Sequence, residues 1–330
     1  MRTYFLDEQF LTPENKKQLI EDFTAAGQEL QFRSYKTSGE VIDGAADADA
    51  VILMAVKISA EVIAALPALK FIGRCGIGYD NVDIQAATDR GVAVCNVPDH
   101  CTYEVASHTF AIMVALQRQL LPFIRRAREG GYAQGAEIKC RRIKGQTLGI
   151  LGYGKIGREL AKMAAGMGMK VLVFDPFVKE LPDTGGSGIS LAASAEEVLK
   201  AADVLSIHTP LTPETTHMIS MPQLKLMKRE AILLNASRGG VINTADLIEA
   251  LKSGVIAAAG LDVCEGEPLP TNHELLSMDR VIFTPHVGMY SEEAMADMYH
   301  KLAKQAVDVL SGRWTNNIVN PQVREKTNLV

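Results

Sequence analysis

Residues 147–175 read TLGILGYGKIGRELAKMAAGMGMKVLVFD. An apolar run (148–151) ends in Gly152-Tyr153-Gly154-Lys155-Ile156-Gly157, a helical pattern follows, and a second apolar run (171–174) ends at Asp175. A glycine triplet alone is a weak signal, because glycines punctuate ordinary turns. Here the strand, turn, helix, strand and acid stand in the order of a dinucleotide fingerprint. Gly152 is expected to allow the tight turn, Gly154 the close approach of a pyrophosphate, and Gly157 the packing of helix on strand. Backbone N–H groups of Lys155 and Ile156 open the helix, whose positive dipole end suits phosphate. Asp175 lies 18 residues beyond Gly157, where a carboxylate can accept from both hydroxyls of the adenosine ribose. It would repel a 2′-phosphate, and Pro176 stands where an arginine could have compensated, so the expected cofactor is NAD rather than NADP.

The pattern around this stretch repeats the α/β theme. Apolar runs at 148–151, 171–174, 204–207, 231–234, 257–261 and 281–283 alternate with helical patterns and predict a six-stranded doubly wound parallel sheet. Ser194 with Glu197 predicts a capping box, and Thr244 the cap of a helix ending at Ser253-Gly254. An earlier series, with strands at 3–6, 51–54, 71–74 and 92–95, reads as a smaller Rossmann-like unit. A long amphipathic helix, 102–120, leads from it. After a final helix at 291–310 the tail, with the sole Trp314, is expected to return to the smaller unit. The expected domains are therefore 1–100 plus 291–330 for substrate, flavodoxin-like, and 101–290 for NAD, inserted into the first.

Composition narrows the class. The chain has 330 residues, with 34 basic and 39 acidic side chains. The two short basic runs, 125–128 and 139–142, read as solvated faces, so no nucleic-acid partner is expected. No apolar run reaches spanning length, and MRTYFLDEQF lacks a signal-peptide core, so no membrane partner is expected. The five cysteines form no CxxC pair; Cys95 and Cys101 with His100 read as buried small side chains, and no metal is expected. A reducing, cytoplasmic setting follows from those free thiols.

Ligands of an open α/β sheet sit beyond the carboxyl ends of its strands. That rule selects Asp175, Thr209-Pro210, Ala236-Ser237-Arg238, Asp262, Glu267 and His286. A guanidinium between a strand and a glycine pair, as at Arg238, suits bidentate capture of a carboxylate. His286 is a natural proton carrier, and an ionised Glu267 beside it would favour the imidazolium. Glu265 reads as a solvated loop charge. A nicotinamide, a carboxylate anchor and a His–Glu couple together suit interconversion of a 2-keto and a 2-hydroxy acid.

The stretches GRCGIGYDNVD (73–83), EVASHT (104–109), GQTLGILGYGKIGRE (145–159), HTPLTPETTHMI (208–219), LLNASRGGVIN (233–243), AGLDVCEGEPLP (259–270) and TPHVG (284–288) carry a wider resemblance. Across most of its length the chain resembles the D-isomer-specific 2-hydroxyacid dehydrogenase family. The resemblance implies Arg238 as carboxylate anchor, His286 as acid/base, Glu267 as its orienting partner and Asp262 near the nicotinamide. It also implies cofactor contacts from Thr215 and Gly288, and substrate contacts from the Arg74-Cys75-Gly76-Ile77 backbone. A homodimer joined through the nucleotide domains, with helix 102–120 taking part, is implied too. Phosphoglycerate-specific relatives often carry Arg-Ser where this chain continues Met54-Ala55-Val56-Lys57, and the formate dehydrogenase branch pairs its histidine with glutamine rather than with an acid like Glu267. VCNVPDHCTYEVASHT (94–109) is nearest the C-terminal-binding-protein branch, whose members act as NAD(H)-binding corepressors. An NAD(H)-sensing module with vestigial activity is therefore the rival expectation to the enzyme.

Overall fold

The computed structural model describes residues 1–132, 138–181 and 188–330. The chain divides into one unit of Met1–Cys101 with Ser291–Val330, and a second of Thr102–Tyr290.

The first unit is built on five parallel strands: β1 (Arg2–Phe5), β2 (Glu29–Phe32), β3 (Ala50–Leu53), β4 (Phe71–Arg74) and β5 (Ala93–Cys95). Their order is β2-β1-β3-β4-β5, the flavodoxin-like arrangement. Central strands are apolar on both faces, and β3 is buried at every position, as a sheet covered by helices on both sides requires. The tail closes the β5 edge. Val319 N–H donates to Val94 O (2.8 Å), and buried Asn320 completes the cover. Its amide accepts from Val94 N–H (2.9 Å) and donates to Val92 O (2.9 Å) and Thr88 Oγ1 (3.0 Å).

The second unit holds seven parallel strands rather than the six expected: β6 (Thr147–Leu151), β7 (Lys170–Phe174), β8 (Ile189–Leu191), β9 (Val204–Ile207), β10 (Ile232–Asn235), β11 (Ala258–Leu261) and β12 (Val281–Phe283). The order is β12-β11-β10-β9-β6-β7-β8, so the winding reverses between β6 and β9. That switch point is where a doubly wound sheet opens a crevice for ligand. Leu148, Ile150, Val171, Val173 and Val204 are buried beneath it. Each such side chain contributes about 1.5–3 kcal/mol relative to exposure.

Three local expectations change. The helix expected over 102–120 runs Thr102–Gln117, then breaks at Gln119, whose φ is +54°, and resumes as Leu120–Arg128. Asn243, not Thr244, caps the helix Thr244–Ser253, its side chain accepting from Asp246 N–H. At Ser194 the hydroxyl accepts from Glu197 N–H, but Glu197 turns its carboxylate to Ala193 N–H, so the box is shifted by one residue. Among the described residues no helix is long and apolar enough to cross a membrane.

Candidate active site

The fingerprint turn is fixed by close backbone contact. Gly152 has φ +91°, and a Cβ there would lie 2.5 Å from His208 O, at the end of β9. A Cβ on Gly157 would lie 2.4 Å from Gly152 O, so the helix packs on the turn itself as well as on the strand. At Gly154 a Cβ would meet nothing within 4 Å. Gly154 is the N-cap of the helix Lys155–Gly166 and brings no side chain to its first turn. This arrangement fits a pyrophosphate: the space beside Gly154 is open, and a helix start carries unpaired N–H groups with the helix dipole behind them. At the end of β7, Asp175 accepts from Tyr153 N–H (2.8 Å) and Phe177 N–H (2.9 Å), which holds the carboxylate beside the turn.

Beyond β9, Thr215 closes the 209–215 turn: its hydroxyl donates to Pro210 O (2.7 Å) and accepts from Thr212 N–H (2.8 Å). Thr209 Oγ1 lies 3.5 Å from Met218 Sδ. Beyond β10, buried Asn235 shapes the loop through Ala236. It accepts from the Ser237 N–H (3.0 Å) and hydroxyl (2.8 Å) and donates to Arg238 O (2.9 Å). Arg238 Nη1 donates to Ser237 O (2.8 Å). A Cβ on Gly239 would lie 2.0 Å from the carbonyl of Cys264. Only a glycine lets the segment after Arg238 lie against the loop that follows β11.

That loop carries the acids. Asp262 is buried, and its side chain accepts from the Thr284 hydroxyl (2.6 Å), Val287 N–H (3.0 Å) and Gly288 N–H (2.8 Å). His108 Nε2 sits 2.9 Å from Thr284 Oγ1 and 3.4 Å from Asp262 Oδ1. Burial pushes the Asp262 carboxyl up, but the bonds from His108, Thr284 and the two N–H groups outweigh it and hold the group below the usual carboxylate range. Asp262 O also accepts from His286 N–H (2.8 Å). The result is a turn in which His286 is forced to φ +56°. A non-glycine residue there costs of order 1–3 kcal/mol, which the surrounding bonds must offset. His286 Nδ1 meets Glu267 Oε2 at 2.8 Å, while Glu267 Oε1 accepts from Cys264 N–H at 2.7 Å. With Nδ1 engaged, Nε2 is the ring nitrogen left to exchange a proton with a ligand.

The second unit thus brings together Asp262, Glu267, His286 and Gly288, and lays the Arg238 segment against them. Arg74, Cys75, Gly76 and Ile77 belong to the first unit, at the carboxyl end of β4, where Arg74 Nη1 donates to Cys75 O. Asn235, His108, Glu265 and His217 went unremarked as site residues in the sequence. Glu265 is more than a solvated charge: its partly exposed carboxylate meets His217 Nε2 (2.5 Å) and accepts from Thr244 N–H (2.8 Å). Its partner lies 48 residues away, beyond any local signal. Among the described residues no cluster of His, Cys, Asp or Glu is arranged to hold a metal ion.

A glycine cradle at the switch point and a His–Glu couple on the same sheet edge define a nucleotide-dependent oxidoreductase. Residues 110–288 match the NAD-binding domain of the D-isomer-specific 2-hydroxyacid dehydrogenases. The glyoxylate reductase of Thermococcus litoralis is 38% identical over 322 residues, 94% of this chain and 95% of that protein. The D-3-phosphoglycerate dehydrogenase of Methanocaldococcus jannaschii is 38% identical over 294 residues, 88% of this chain but 55% of that protein, so the chain spans about half the length of that relative. Among solved structures, D-lactate dehydrogenase of Aquifex aeolicus, complexed with NAD and lactic acid, superposes with a TM-score of 0.85 at 27% identity, covering 98% of each chain. A protein of Thermus thermophilus gives 0.86 at 34% identity, covering 97% of this chain and 100% of that one. The chain belongs to the D-isomer-specific 2-hydroxyacid dehydrogenase family, and its cofactor is NAD(H).

Proposed function

We propose that this chain interconverts a small 2-keto acid and the corresponding D-2-hydroxy acid, with His286 as acid/base, Glu267 as its partner and Arg238 as carboxylate anchor. The observation that carries the reading is the 2.8 Å contact between His286 Nδ1 and Glu267 Oε2, on a turn held at positive φ by Asp262. Bound NADH supplies the hydride for reduction. Arg238 binds the substrate carboxylate through its planar fork and orients the keto carbon. His286, protonated and stabilised by ionised Glu267, donates from Nε2 to the developing alkoxide; the reverse reaction needs the neutral ring to take that proton back. Asp262 holds the His286 turn, and with Gly288 would lie toward the nicotinamide half. Gly152, Gly154, Lys155, Ile156 and Gly157 would hold the pyrophosphate and Asp175 the adenosine ribose, with Thr209, Pro210, Thr215, Ala236 and Ser237 as further cofactor contacts.

Relatives named D-3-phosphoglycerate dehydrogenase are matched over about half their length, 55% in the first, whereas a glyoxylate reductase and a glycerate dehydrogenase are matched over 95% and 97% of theirs, which favours a short, unphosphorylated substrate. The chain is expected to work in the cytoplasm as a homodimer. Leu120, Leu121 and Ile124, all more than 40% exposed on Leu120–Arg128, offer an apolar stripe for such a contact. The test is NADH oxidation against glyoxylate, hydroxypyruvate, pyruvate, 2-ketoisocaproate, phenylpyruvate and 3-phosphohydroxypyruvate. Efficient turnover of one of the short acids is the expected result. Tight NADH binding with no turnover of any would favour the NAD(H)-sensing alternative.

A further inference from the structure

We infer that Glu265 is a positioning residue for the reaction: clamped between His217 and the start of the helix Thr244–Ser253, it fixes the loop that carries Glu267 against the segment that carries Arg238. The inference rests on the dehydrogenase reading of the site. Three segments meet at Glu265, each following a different strand. The first, after β9, carries His217, whose N–H donates to Gly240 O at 2.9 Å. It is laced further to the second by Ile219 N–H to Val241 O (3.1 Å) and Asn243 N–H to Ile219 O (2.9 Å). The second, after β10, presses Gly239 onto the Cys264 carbonyl and lies so near Glu265 that a Cβ would be 2.6 Å from its N. The third, after β11, is the acid loop itself, which turns at Gly266 (φ +77°) between Glu265 and Glu267.

The bonds of Glu267 run to Cys264 N–H, within its own loop, and to His286. The carboxylate of Glu265 reaches the other two segments, with one oxygen on His217 and the other on Thr244 N–H. Burial opposes the charge on Glu265, yet the His217 and Thr244 bonds prevail and hold its carboxyl below the usual range. A plain helix cap does not account for this arrangement, because the Asn243 side chain already accepts from Asp246 N–H at 3.0 Å. Nor does a plain turn account for His217. At φ +52° its ring is brought onto a carboxylate 48 residues away, a contact that a local turn does not require. Displacing a catalytic group by about 1 Å can cost about a hundredfold in rate, so a clamp two residues from Glu267 acts on the chemistry without touching substrate.

The titratable groups around the clamp are His217, Cys264 and Glu267, with His286 beyond Glu267, and Asp262 with His108 behind the His286 turn. The experiment compares Glu265→Ala, Glu265→Gln, His217→Asn and the Glu265→Ala/His217→Asn double variant in the full chain. It reads kcat and KM for the best keto acid, NADH affinity by fluorescence, and His286 titration by NMR in the NADH-bound protein. Glu265→Ala is expected to lower kcat about 10- to 100-fold, with KM and NADH affinity changed less than about threefold. The pH profile of reduction and the His286 titration should both change, which a purely structural role would not require. Glu265→Gln, which keeps an acceptor for Thr244, should recover most of kcat. His217→Asn should fall in the same direction, and the double variant should lose no more than Glu265→Ala alone. Unchanged kcat and titration in Glu265→Ala overturn the inference. So do parallel losses of kcat, NADH affinity and thermal stability with an unmoved His286 titration, and so does full additivity in the double variant. Should Glu265→Ala fail to fold, His217→Asn decides by the same readouts. A wild-type chain that turns over no keto acid defeats the dehydrogenase reading instead, and the titration arm still reports on the clamp.

Discussion

Two histidine–glutamate pairs leave one short loop, and they differ in the ring nitrogen engaged, Nδ1 of His286 against Nε2 of His217, and in where the second carboxylate oxygen goes. His286 and His217 both sit at positive φ, +56° and +52°, and each meets a carboxylate two residues from the other's. Glu267 turns its remaining oxygen inward to Cys264 N–H, whereas Glu265 turns outward to the first N–H of a helix. The inward pair holds one imidazole over the sheet edge, where a ligand can reach Nε2. The outward pair ties three segments together. The same two residue types thus meet twice; in the proposed reaction the first pair would transfer the proton and the second would fix the loop that places it.

The comparison breaks first at His286. His286→Ala should cost about 10²- to 10⁴-fold in kcat while NADH binding stays measurable by fluorescence. Retained turnover would move the proton donor elsewhere. Arg238→Lys keeps the charge and loses the fork; a loss of about 2–4 kcal/mol in kcat/KM is expected, with little change in NADH affinity. Near-normal activity would remove the anchor. Glu267→Gln sharpens the contrast between the pairs. The variant keeps an acceptor for His286 Nδ1 but loses the charge beside the ring, so about tenfold loss in kcat/KM is expected. Unchanged kcat/KM would show the pair to be uncoupled.

Asp175→Ala serves as a control outside both pairs. It should weaken NADH binding several-fold and narrow the preference over NADPH by about tenfold, as the Kd ratio would show. The smallest effect lies in the acid stability of Glu265. Its carboxyl is held below the ordinary value of 4.5, so its contribution is present above that pH and is lost as pH falls through the folded value. For a partly exposed pair this amounts to a fraction of about 1 kcal/mol. Thermal melts from about pH 6 to 3 should therefore show wild type and Glu265→Gln converging at the acid end. Curves that stay parallel would mean the carboxylate adds nothing to stability.

The cradle was legible in the sequence because its constraints are local. Gly152, Gly157 and Asp175 lie within 24 residues, and two of the three are forced by backbone contacts that only glycine permits. The strands that escaped reading, Glu29–Phe32 and Ile189–Leu191, are both at sheet edges. An edge strand lacks a neighbour on one side and need not be apolar on both faces, so it leaves no continuous run. The helix Leu120–Arg128 escaped for another reason: Gln117-Arg118-Gln119 and Pro122 interrupt the apolar pattern and read as an end near 120, not as a restart after a turn at φ +54°. Strand ends marked Asp262, Glu267 and His286 as candidates, but His108 and the role of Glu265 depend on partners that only folding brings near, whereas Asn235 bonds Ser237 and Arg238 two and three residues on, a local turn with no apolar or glycine signal of its own.

Asn320 carries a consequence of a chemical kind. Its amide stands in for a peptide group on the β5 edge, accepting from Val94 N–H and donating toward Val92 O and Thr88 Oγ1. Deamidation would replace the donor with an oxygen facing those two oxygens and turn attraction into repulsion. The usual route to that damage closes a succinimide through the backbone nitrogen of the next residue. Here that residue is Pro321, which has no N–H to give up. The side chain that covers this sheet edge is thereby also shielded from the succinimide route of ageing.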